Sequence, residues 1–287
     1  MASYLRSKSK SGRDLSIPLD LVNPNMAELR IGTSAFTAAG WPGSFYPTGM
    51  QRHDFLTYYS TKFDSVEVAS TFGHTPSRST VKGWAEKTPP GFVFSVKVPQ
   101  VITHEKCLVG CNDELNQFLE TMDLLGDKLG PLLFEFPYFN RQAFKTGHEF
   151  LARFSAFLKA VPRDYKFALE IRNKDWMNEK FADFLREHRI ALVLIDQLLM
   201  PLPEQLQFDY VTAGFSYVRL LGDRKGMQTK TRTWDKVIVN RSRELRSWVD
   251  VCQRICKRGE SVFVYAENHY AGHAPATVTQ FVKLWNS

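Results

Sequence analysis

Apolar and polar positions alternate in short runs along this chain, and the runs are separated by longer stretches of a different period. In KFALEIRN, starting at Lys166, the large residues Phe167, Leu169 and Ile171 alternate with Ala168, Glu170 and Arg172. A period of two places the large apolar groups on one face of a strand and both charges on the other. Seven further runs read as strands: LRIGTSAF from Leu29, SVEVAST from Ser65, FVFSVKVP from Phe92, PLLFEFP from Pro131, ALVLID from Ala191, FSYVRLLG from Phe215 and SVFVYAENH from Ser261. Most of the stretches between them repeat apolar residues every three or four positions, as amphipathic helices do. These are HDFLTYYSTKF, STVKGWAEK, NDELNQFLETMDLLGDKLG, HEFLARFSAFLKAV, NEKFADFLREHR and WDKVIVNRSRELRSWVDVCQRICKR. Asn112 and Asp113 stand where an N-cap would open the third. After the sixth strand, QLLMPLPEQLQFDYVTAG is broken by proline and predicts no clean helix.

Eight strand–helix units in a chain of 287 residues predict an α/β fold, a (β/α)8 TIM barrel forming a single domain over residues 28–287. An open doubly wound sheet is the alternative, but its glycine-rich phosphate fingerprint is missing. Residues 1–13 carry Arg6, Lys8, Lys10 and Arg13 in a serine-rich setting without an acid, and residues 1–27 are expected to form a flexible, disordered basic arm.

Charge adds a second feature. The net charge of +7 is uneven: residues 222–258 alone hold eleven Lys or Arg against four Asp or Glu. Such a segment suits an anionic partner, nucleic acid included, although a solvated helix surface has the same composition. No window approaches the roughly 18 consecutive apolar residues of a membrane span. The opening MASYLRSKSKSGRDLS has no apolar core of the signal-peptide kind, so a cytoplasmic location without membrane contact is expected. The cysteines form two pairs at four-residue spacing, Cys107 with Cys111 and Cys252 with Cys256, and read as free thiols rather than as a zinc site.

In barrels of this kind the working residues stand at the C-terminal ends of the strands. That end is crowded here with Thr33 and Ser34, Glu67, Lys97 followed by His104, Glu135, Glu170 and Arg172, Asp196, Arg219, and Glu267 with Asn268 and His269. An unpaired interior charge costs several kcal/mol, so these groups must pair, be solvated or meet a ligand. Glu170 with Arg172 reads equally as a salt-bridged plug, Asp196 as a turn residue, and Glu135 and Glu267 as neutralisers of Arg219 and Lys97. His74 reads equally as loop surface.

The segments IGTSAF, VEVASTF, FSVKVPQVITH, LLFEFP, LEIRNKDW, LID, YVRLLG and ENHYAGHAP occur in the order, and at about the spacing, of the domain of unknown function 72 family, the YecE-like proteins. The resemblance covers roughly residues 29–285. It implies a TIM barrel and brings no assigned activity. It also implies that Glu67, Lys97, His104, Glu170, Arg172, Asp196, Arg219 and Asn268 occupy typical polar positions of the family. Departures stand at Ala69, Gly73, His74, Glu135, Asn173, Leu221 and Glu267. They remove hydrogen-bonding groups from the expected pocket and make it more acidic.

Three functions follow. The first is an enzyme acting on a phosphorylated or nucleic-acid substrate. Lys97, Arg172, Arg219, Asn268 and His269 would bind that substrate, and Glu67, Glu170, Asp196 and His104 would be catalytic, His104 as general acid and one carboxylate, Glu135 also a candidate, as general base. With only seven His and no HExxH motif, a divalent metal such as Mg2+ or Mn2+ on the carboxylates would suit metal-assisted phosphoester chemistry better than zinc. The second is carbohydrate chemistry on paired carboxylates, with Trp41, Trp84 and Trp176 as stacking groups or core residues. The third is a non-catalytic barrel that binds an anion or nucleic acid.

Overall fold

A computed structural model describes residues 27–287. The basic arm expected over residues 1–27 therefore lies, but for its last residue, outside the described residues. All eight expected strands are present: β1 (Leu29–Thr33), β2 (Ser65–Val68), β3 (Val93–Lys97), β4 (Leu129–Glu135), β5 (Phe167–Glu170), β6 (Ile190–Gln197), β7 (Phe215–Gly222) and β8 (Ser261–Ala266). They form one parallel sheet in the order β1-β8-β7-β6-β5-β4-β3-β2, the cyclic order of a (β/α)8 barrel.

Helices α1 (Phe55–Tyr59), α2 (Arg78–Glu86), α3 (Asn112–Met122), α4 (Gly147–Leu158) and α5 (Glu179–His188) follow the first five strands in turn. The proline-broken stretch after β6 holds only a short turn, Pro203–Gln205. Then come α6 (Arg224–Lys230), α7 (Ser242–Lys257), α8 (Asn268–Ala271) and α9 (Ala274–Trp285).

The structure corrects two helical expectations and adds one helix. The N-cap of α3 is Cys111, not Asn112 or Asp113, and no side chain caps that end. The helix expected from Trp234 starts only at Ser242. Upstream, backbone N–H groups are committed elsewhere: Trp234 donates to Ala39 O at 3.0 Å, and Ile238 and Val239 donate to Ala271 O at 2.7 and 3.1 Å. Helix α9 lay beyond the last predicted element. It is opened by His273, whose Nδ1 accepts from Ala276 N at 3.2 Å, and by a proline in its first turn.

The outward strand faces bury against the helices. Phe150, Phe154 and Phe157 recur along one face of α4 and meet Phe134 and Phe136, with Phe136 and Phe150 rings 5.0 Å apart edge to face. Each such burial stabilises by roughly 1.5–3 kcal/mol. The inward faces build a separate cluster inside the barrel that includes Leu133, Ala168, Val193, Tyr217, Phe263 and Tyr265.

No ladder joins β1 to β2 among the described residues; side chains close this seam. The Tyr59 hydroxyl accepts from Thr33 N at 2.8 Å and donates to Ser65 O at 3.1 Å, while Asp64 Oδ1 accepts from Ile31 N at 3.0 Å. A Cβ on Gly32 would lie 1.8 Å from Ser65 O, so only glycine permits this approach.

Candidate functional site

Above the apolar filling, the inward positions of the strands turn polar. Arg219 on β7 is 1% exposed and stands at the centre. Glu67 of β2 grips it in bidentate fashion, with Nε 3.0 Å from Oε2 and Nη2 2.8 Å from Oε1. Nη1 reaches Glu135 Oε2 at 2.8 Å and Glu170 Oε2 at 2.6 Å. Nη2 also lies 3.5 Å from Glu267 Oε1. Every nitrogen of the guanidinium thus faces a carboxylate. The Tyr217 hydroxyl adds a 2.6 Å hydrogen bond to Glu67 Oε2.

Two further cations lie nearer the solvent. Lys97 Nζ is 2.8 Å from Glu135 Oε2. Arg172 donates through Nε to Glu170 Oε1 at 2.6 Å, and its Nη2 lies 3.6 Å from Glu135 Oε1. Four carboxylates (Glu67, Glu135, Glu170, Glu267) therefore surround three cations (Lys97, Arg172, Arg219). Burial alone would raise the Glu135 carboxyl, but Arg219, and after it Lys97 and Arg172, outweigh burial and bring it down to about 2. Glu267 is likewise held below the usual range, with burial opposed by His269 and Arg219.

His104 sits at the rim in a wide helical turn, Val101–Glu105. Its ring meets Phe72 edge-on at 4.9 Å, and Lys97 Nζ lies over the same Phe72 ring at 3.7 Å. Its Nδ1 bonds Thr103 Oγ1 at 2.8 Å. Burial lowers the His104 pKa; Glu135 opposes the shift, and Lys97 and Arg172 reinforce it. The shift favours the neutral imidazole, the form that can accept a proton.

The structure thus brings together Glu67, Lys97, His104, Glu170, Arg172 and Arg219. His269 borders the group, its Nδ1 3.4 Å from Glu267 Oε2 and its ring 4.7 Å from Trp234. Two expected residues commit side-chain oxygens to structural hydrogen bonds, although Asn268 also lines the cavity beside Glu267. Asp196 faces the helix layer, where Oδ2 accepts from Trp248 Nε1 at 2.8 Å and from the Tyr270 hydroxyl at 3.0 Å. Asn268 Oδ1 accepts from Trp41 Nε1 at 3.1 Å and from Ala274 N at 3.0 Å, which holds the start of α9. Sequence reasoning offered Glu135 both as a neutraliser and as a candidate base, gave Glu267 only a neutralising part, and overlooked Phe72 and Tyr217. The alternation in FSYVRLLG, which puts Tyr217 and Arg219 on one face, was the available signal.

The carboxylates do not fit a divalent metal. The oxygens of Glu67 and Glu170 are filled by guanidinium and tyrosine donors, and no group of three or more His, Cys, Asp or Glu converges as metal ligands among the described residues.

The family model described as "Protein of unknown function DUF72" matches residues 30–287. The chain belongs to this family. Among curated relatives, UPF0759 protein YecE of Escherichia coli (strain K12) is 28% identical over 118 residues, 41% of this chain and 41% of that protein. UPF0759 protein YunF of Bacillus subtilis (strain 168) is 31% identical over 153 residues, 50% of this chain and 52% of that protein. The chain thus spans about half the length, or less, of the relatives it matches. The crystal structure of a DUF72 family protein from Thermotoga maritima MSB8 is similar with a TM-score of 0.72 and 26% identity, covering 91% of this chain and 100% of that one. One from Enterococcus faecalis V583 gives 0.70 at 21% identity, covering 90% and 96%, and bears on the fold alone.

Proposed function

We propose that the chain is an enzyme acting on a phosphorylated substrate at the barrel mouth. Arg172 and Lys97 hold the phosphate, and His104, expected from the sequence as a general acid, serves instead as the group that takes up a proton. One observation carries this reading. Arg172 is 24% exposed and its Nη1 has no partner among the described residues, while Lys97 and His104 flank one aromatic ring beside it. A guanidinium with a free edge and an ammonium, both neighbours of Glu135, suit phosphate oxygens. Arg219, which the sequence offered for the same task, serves instead to fix the four glutamates.

The four cysteines are free thiols, as a reducing cytoplasm would keep them. No helix among the described residues is long and apolar enough to cross a membrane.

The second reading, a nucleic-acid phosphate, is favoured by Arg224, Lys225, Lys230, Arg232 and Lys236. They follow β7 at the mouth end, and none pairs with a carboxylate among the described residues, whereas Arg241, Arg254 and Arg258 do.

The test is 31P NMR with inorganic phosphate, a panel of phosphate monoesters and a short oligonucleotide, reading binding and turnover together. Arg172→Met is expected to weaken monoester binding tenfold or more. His104→Gln should keep binding and lose about 100-fold or more in turnover, the usual share of a proton-transfer group. Unchanged phosphate binding in Arg172→Met overturns the reading. Binding of the oligonucleotide alone favours the second one.

A further inference from the structure

The mouth has a second compartment, between the ends of β1 and β8. It is a cavity of about 180 Å3 whose walls include Ser34, Trp41, Arg224, Glu267 and His269. Ser34 is 7% exposed, and its hydroxyl is buried without a hydrogen-bond partner. Leaving such a group unpaired costs about 1–3 kcal/mol, unless a ligand satisfies it. The neighbouring Thr33 hydroxyl, by contrast, donates to Ala35 O at 2.6 Å. Glu267 on the same wall is only loosely engaged, 3.5 Å from Arg219 Nη2 and 3.4 Å from His269 Nδ1.

The chemistry of these two groups selects among ligands. An ionised Glu267 accepts hydrogen bonds and repels a second anion, and the Ser34 hydroxyl both donates and accepts. A ligand hydroxyl matches both, because it can donate to the carboxylate and accept from Ser34. The Arg224 guanidinium, exposed at the edge, offers further donors to hydroxyl oxygens. One terminal nitrogen of Arg219 bonds Glu135, and the other lies 3.5 Å from Glu267 Oε1. The compartment therefore lies within the reach of a sugar-sized molecule from the Lys97–Arg172 edge.

We infer that the Ser34–Glu267 compartment is a hydroxyl subsite and that the substrate is a phosphorylated polyol. Its phosphate lies on Arg172 and Lys97, and its hydroxyl-bearing chain lies against Ser34 and Glu267. This inference rests on the phosphate reading of Arg172 and Lys97 above.

Titration calorimetry of the full chain with inorganic phosphate, glycerol 3-phosphate, ribose 5-phosphate and ribose tests it. At least one polyol phosphate is expected to bind tenfold or more tightly than inorganic phosphate. Ser34→Ala should remove about tenfold of that affinity and leave inorganic phosphate unchanged. This variant deletes an unpartnered hydroxyl, so its melting temperature should not fall, which separates a binding effect from misfolding. Polyol phosphates binding no tighter than inorganic phosphate overturn the inference, as does an equal loss of both ligands in Ser34→Ala. Ribose binding that depends on Ser34, without any phosphate binding, overturns the phosphate reading and with it the phosphorylated substrate, but keeps the hydroxyl subsite. Absence of binding by all four ligands overturns both.

Discussion

Glu135 and Glu170 stand opposite each other in the β4–β5 ladder, and a single nitrogen, Arg219 Nη1, reaches both at 2.8 and 2.6 Å. Like charges facing each other across a ladder repel. The pair is tolerable because β7 inserts a cation between them, while Lys97 and Arg172 each add one from the outer side. Arg219→Met is therefore expected to destabilise the barrel by about 3–5 kcal/mol, since it leaves buried carboxylates uncompensated. Urea unfolding would show it as a lower midpoint. A loss below about 1 kcal/mol would mean that the network contributes little to stability.

Acid should weaken the same network. A carboxyl brought down to about 2 in the folded chain and titrating near 4.3 when unfolded adds stability that is complete above the unfolded value. That stability is lost as pH falls from about 4.3 toward 2, by an amount on the order of 3 kcal/mol. Melting temperatures across this window should fall more steeply for the wild type than for Glu135→Gln.

His104 should titrate below the ordinary histidine value in imidazole NMR. Glu135 pulls its pKa upward and Arg172 pulls it downward. Glu135→Gln is thus expected to lower it further and Arg172→Met to raise it. Equal values in all three proteins would place His104 out of electrostatic reach of the mouth.

At the seam, Tyr59→Phe removes the hydroxyl that serves Thr33 N and Ser65 O. The expected cost is about 1–3 kcal/mol, because a buried donor loses its partner. Amide exchange at Thr33 should accelerate. Gly32→Ala should be the more damaging change, since the added methyl meets a backbone oxygen.

All eight strands were legible because buried β-branched and aromatic runs keep period two. Glu170 and Arg172 were legible for the same reason, opposite in parity to Phe167, Leu169 and Ile171. Asp196 shows the limit. Ala191, Val193 and Ile195 fill the barrel, so parity already assigned Asp196 outward, to Trp248 and Tyr270. Its place at a strand end, where the register also shifts between Asp196 and Gln197, gave it the look of a site residue. What no local pattern carries is which carboxylate meets which cation. Glu67 and Arg219 are 152 residues apart in sequence, and only barrel closure joins them.

That closure makes Arg219 a checkpoint for assembly. One side chain of β7 must meet partners from β2, β4, β5 and the residue that follows β8 at once. A strand paired one residue out of step turns its inward carboxylate away and leaves charge stranded in a dry interior. Competing barrels with slipped strands are thereby raised in energy, so the polar layer selects one arrangement among many that would bury similar amounts of hydrocarbon.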